Sequence, residues 1–258
     1  MSDQTAASPP VSTSSEVQAR SKFFVGFAGV LLLVVLIGFS PTLYLRAFFD
    51  VPDMPTYVLV HGAILTVWFV WFFIQTSLVA VHRTHLHRRL GIIGVGIGVA
   101  VIVAGGMVSL GLVPRLSSLG RDVEANIAQH AVIVWGNLGQ LIPFCVFLTL
   151  AIANRRKSEI HKRLMLLSSI SIIGPALARV GRIPMLRVSE SFVVNESVFA
   201  FGGLLMLLLA LVVHDAVVNK RLHSVTMWGV PATLLSPAFF GLLVANTTFG
   251  RTLVLLLN

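Results

Sequence analysis

Runs of apolar residues separated by short polar stretches repeat along the chain, and each is about the 20 residues needed to cross a bilayer as a helix. The pattern predicts seven spans, at about 23–45, 57–81, 90–112, 127–152, 163–180, 194–217 and 226–247. The fifth is short and interrupted by Gly174-Pro175, where proline removes a backbone donor. The closing TTFGRTLVLLLN is apolar but too short to span again. Residues 1–22, rich in Ser, Thr, Ala and Pro without an apolar period, are expected to form a disordered tail. The first span exceeds the roughly 7–15 residues of a signal-peptide core, so it is expected to stay as a helix. The expected fold is therefore an all-α integral membrane protein. A tail (1–22) precedes one polytopic membrane domain (23–258), and spans two to five form a four-helix core.

Polar residues within these spans fall in stripes. His61, Trp68, Gln75 and His82 recur every seven residues, so they follow one slowly drifting line on a helix. On the fourth span, Asn126, His130, Asn137 and Gln140 share an arc of roughly 80° at about 100° per residue. The fifth aligns His161, Ser168, Pro175 and Arg179 in the same manner. Polar groups in hydrocarbon are costly and turn toward the bundle interior, so three such faces predict an internal site or path. The third span carries Gly94 and Gly98, then Gly105 and Gly106. This spacing suits close helix packing, or room for a flat cofactor.

Composition narrows the class. Hydrophobic residues make up 56% of the chain and charged residues 11%, against about a quarter charged in a soluble domain. The net charge of +9 does not point to nucleic acid, because the basic residues sit in short loops between spans, where they set topology. Twelve of the nineteen Lys and Arg residues fall on the N-terminal side and seven on the other, which predicts N-in, C-out. The lone Cys145 excludes a disulfide framework and a Cys-based metal site.

Depth pairs the histidines. His61 and His130 each lie about four residues inside their spans from the outer end, roughly 6 Å deep at about 1.5 Å per residue. His87 and His161 precede the third and fifth spans at the inner end. Imidazoles at matched depth on facing helices suit bis-histidine ligation of haem b, a state fitted to electron transfer. Arg179 and Arg182 suit haem propionates or an anionic donor. A zinc, copper or ferrous ion held by His82, His85 and His87 is another reading. So is structural hydrogen bonding, and Asp215 beside His214 is expected to pair with a loop arginine.

Spans from about 57 to 185 resemble a group of uncharacterised bacterial multi-pass membrane proteins. The shared features are His61 at the head of a helix, HRRLG at 87–91, HKRLM at 161–165, and Arg179 on the helix that follows. In layout the chain is more distantly similar to the transmembrane ascorbate-dependent di-haem cytochromes b, which pair histidines of alternate helices at opposite membrane faces. By position, that resemblance implies one haem on His61 with His130 and another on His87 with His161. The chain departs from it in its short His61–His87 spacing and in having seven spans instead of six. The expected function is electron transfer in a bacterial inner membrane, with haem b as cofactor and a quinol or small electron donor as partner. The alternatives are a transporter or metal-handling permease with a path lined by Gln75, His130, Asn137 and Gln140, and a non-catalytic scaffold.

Overall fold

The computed structural model describes residues 14–51 and 53–257, and these form helices and turns without a strand among them. The helices are α1 (Ser14–Phe39), α2 (Thr56–Ala80), α3 (Thr84–Leu110), α4 (Leu112–Ser118), α5 (Ile127–Ala153), α6 (Ser158–Ser171), α7 (Gly174–Val180), α8 (Phe192–Ser197), α9 (Gly203–Asn219), α10 (Ser224–Ala238) and α11 (Thr248–Leu255). α1 begins at Ser14, ahead of the expected start at 23; residues 1–13 of the expected tail lie outside the described residues.

Among the described residues, six stretches are long and apolar enough to cross a membrane: Lys22–Tyr44, Thr56–Ala80, Thr84–Leu110, Ile127–Ala153, Phe192–Asn219 and Ser224–Asn246. The expected fifth span is instead a pair, α6 and α7, bent by 51°. The break falls at Ile172-Ile173, just before Gly174-Pro175, and Pro175 sits in the first turn of α7, where its missing N–H costs nothing. Side chains such as Ile92, Val103, Met206 and Leu242 are exposed along the flanks, an apolar surface suited to lipid.

α2 packs between α1 and α3, α3 meets α5, and α5 meets α6 and α10. The approach of α3 to α5 is close because Gly98 faces Leu148 and Gly105 faces Leu141, which also makes the two helices antiparallel. A Cβ on Gly98 would stand 2.5 Å from Leu148 and 3.3 Å from Trp68, so this glycine serves packing. The core that results contains Trp68, Phe69, Phe144, Phe147, Leu166 and Ile170.

The helices share two ends. One, the basic end, holds the start of α1 and the 81–83, 154–157 and 220–223 turns, joined by contacts such as Lys162 over Phe24 and Arg163 to Asp215. The far end holds residues 45–51, 53–55, 119–126 and 181–191, where Arg179 lies over Phe39.

Candidate functional site

The α2 stripe turns inward around Trp68, which is 2% exposed. Its indole N–H donates to Ser169 Oγ on α6 at 3.3 Å, and its ring meets Phe144 of α5 edge-on at 5.0 Å. That anchor directs the same face of α2, one heptad either way, toward the interior. Gln75 is accordingly only 8% exposed, and neither its Oε1 nor its Nε2 has a protein hydrogen-bond partner.

At the basic end His87 and His161 come together. α2 closes with His82 in the left-handed region (φ 61°), and Arg83 N–H donates to Leu78 O at 2.8 Å. This tight turn sends α3 back alongside α2 and sets His87 in its first turn. α6 restarts at Ser158 after the 154–157 turn and carries His161 to the same level. The two ring centres lie 6.3 Å apart with planes at 71°. His161 Nδ1 is 2.8 Å from Ala151 O; a proton on Nδ1 donated there leaves Nε2 as the lone-pair nitrogen, as in many metal-binding histidines. His87 Nδ1 is buried without a partner. Arg88 and Arg89, next along α3, are exposed.

At the far end His61 is half-buried and approaches the Ala104 carbonyl and Arg179; its Nδ1 has no partner. Arg179 donates from Nη1 to Pro175 O at 3.0 Å and covers the Phe39 ring at 4.5 Å, while its Nε is unpartnered. His130, 9% exposed, also has an unpartnered Nδ1. Neither a hydrogen bond nor a ring contact joins His61 to His130 among the described residues. Asn137 is half-buried. Gln140 reaches Gly136 O only at 3.5 Å, and its Oε1 lies unpartnered against Gly174. Arg182 pairs instead with Glu196.

The three-histidine ion site at the basic end does not form. His82 and His85 are exposed, and among the described residues no group of three or more His, Cys, Asp or Glu side chains is placed to hold an ion.

A further polar cluster among the described residues is one the sequence pattern did not reveal. Arg163 and Asp215, both 0% exposed, join α6 to α9. Arg163 Nε donates to both carboxylate oxygens at 3.1 Å, and Nη2 to Oδ1 at 2.5 Å. Nη1 donates to Glu159 Oε2 at 2.7 Å. Asp215 also accepts from Thr226 Oγ1 at 2.5 Å and from Asn219 Nδ2 at 3.1 Å, which brings in α10. The partner of Asp215 is thus a helical arginine and not the loop arginine expected. The available signals were the Glu159–Arg163 spacing of one helical turn and an acid placed within an apolar span. His223, in the turn before α10, accepts Val225 N–H through Nδ1 at 3.1 Å. Burial, and then the nearby Arg163 charge, hold its pKa below the usual histidine value.

No protein-family model matches the chain, and neither a curated protein nor a solved structure matches it.

Proposed function

We propose that the protein is a haem b-binding electron-transfer protein of a bacterial inner membrane, in which His87 and His161 would hold one haem. The 6.3 Å separation of their ring centres carries this reading. Two imidazoles this close would both be within reach of one iron. The unpartnered His87 Nδ1 and the Ala151 carbonyl that orients His161 fit the same role. When bound, such a haem supplies one-electron chemistry without an open iron position. The chain's own residues would orient the rings, with Ala151 O at His161 Nδ1, and would offer the exposed Arg88 and Arg89 to carboxylate side arms.

His61 and His130 are the proposed ligands of a second haem at the far end, with Arg179 beside it. The resemblance to di-haem cytochromes b and to the HRxxG and HRRxM proteins belongs to this proposal, as does a quinol or small donor as partner. Counting the bent α6–α7 pair as one span gives seven, N-in and C-out by the bias of basic residues.

Gln75, with both amide atoms unpartnered in the interior, favours a second reading. In it, Gln75, His130, Asn137 and Gln140 line a path for a small polar solute or ion, and flux into proteoliposomes would report it. Haem content per chain tests the first reading. His87→Ala and His161→Ala should each remove one equivalent, and His61→Ala and His130→Ala the other. Full haem content in both His87→Ala and His161→Ala overturns the assignment.

A further inference from the structure

A groove of about 460 Å³ opens at the far end, lined by Pro55, Tyr57, Met107, Gly111, Arg115 and Ser118 among others. It lies where α2 begins and α3 ends, at the level where lipid head groups meet the spans. Arg115 is half-buried in its wall, and no carboxylate pairs with it among the described residues. Three acids of this end are engaged elsewhere: Asp53 faces Arg46 at 3.6 Å, Asp122 accepts Ala125 N–H at 2.9 Å, and Glu196 holds Arg182. The Tyr57 hydroxyl reaches to 3.6 Å of where a Gly111 Cβ would stand. It has no hydrogen-bond partner among the described residues. The groove therefore combines a free guanidinium fork and a free phenol with apolar walls, and Met107 is 58% exposed along its rim.

We propose that this groove binds the head group of an anionic phospholipid, with Arg115 and Tyr57 on the phosphate and the acyl chains along Met107. A guanidinium matches phosphate oxygens bidentately. A soluble anion would have no use for the apolar rim, whereas a lipid fills both parts. The proposal is independent of haem binding.

Retention of lipid by the full chain, read by native mass spectrometry from detergent, tests it. The wild type should hold phosphatidylglycerol about tenfold more strongly than phosphatidylcholine, a difference of about 1.4 kcal/mol. Arg115→Gln should lose that preference, and Tyr57→Phe should weaken it while leaving the thermal midpoint of the lipid-free protein unchanged. Equal retention of the two lipids by the wild type overturns the proposal, as does an undiminished preference in Arg115→Gln. Displacement of phosphatidylglycerol by millimolar inorganic phosphate, with the same thermal stabilisation, would assign the site to a free anion and overturn the lipid reading.

Discussion

The Arg163–Asp215 cluster and the histidine–glutamine stripes are both polar groups inside an apolar bundle, yet they are finished to different degrees. Around Asp215 every oxygen has donors: a two-pronged arginine, a threonine hydroxyl and an asparagine amide. Along the stripes Gln75, His61, His130 and Gln140, and beside them His87 at the start of α3, each keep at least one buried polar atom without a protein partner. A buried polar atom left unpaired costs about 1–3 kcal/mol, so one or two such atoms are tolerable and five residues along one interior are a pattern. The finished cluster ties α6 to α9 and α10 and reads as architecture. The unfinished stripes read as a place that completes its bonds with something else.

The largest expected effect comes from breaking the finished cluster. Arg163→Ala strands a buried carboxylate and should lower resistance to unfolding by about 3–5 kcal/mol, measured by denaturant titration in mixed micelles. Glu159 has a half-exposed side chain, so Glu159→Gln should cost under about 1 kcal/mol. Equal losses from the two would remove the distinction between a buried hub and its rim.

The stripes should respond in the opposite sense. Gln75→Leu removes two unpartnered amide atoms and should leave stability unchanged or raise it by about 1–2 kcal/mol; it should abolish solute flux on the path reading and leave haem content unchanged on the haem reading. A clear destabilisation would mean that the amide is satisfied and the contrast false. Packing beneath the stripe gives an intermediate effect. A Cβ at Gly139 would lie 2.8 Å from Pro237 Cα and 2.9 Å from Ser236 O, whereas Gly106 has open space. Gly139→Ala should cost about 1–3 kcal/mol by forcing α5 from α10, and Gly106→Ala almost nothing.

The smallest effect is a pH dependence. The His223 pKa is lowered in the fold, so the unfolded chain binds its proton first as pH falls. Its contribution to stability is present above the unfolded value of about 6.5 and is lost as pH drops from there toward the folded value. His223→Gln should flatten that part of the stability–pH curve; an unchanged slope would place the titration elsewhere.

Much of this was legible in the chain. Apolar run length located the helices, because the bilayer sets one length for all of them, and Gly174-Pro175 marked the α6–α7 bend. The level shared by His87 and His161 followed from their both preceding apolar spans at the inner end. The link between Arg163 and Asp215 did not follow, because a pair 52 residues apart depends on which helices are neighbours, and hydropathy carries no neighbour list. For the same reason depth could set His61 level with His130 but could not name Ala104 and Arg179 as its neighbours.

The most direct test of the central claim, that the unfinished histidines are ligands in waiting, is an absorption spectrum of the detergent-purified protein from haem-replete cells, oxidised and then reduced with dithionite. The account predicts sharp reduced bands of low-spin haem b in stoichiometric amount, diminished in His161→Ala. A colourless wild-type protein, folded by its resistance to unfolding, would contradict it.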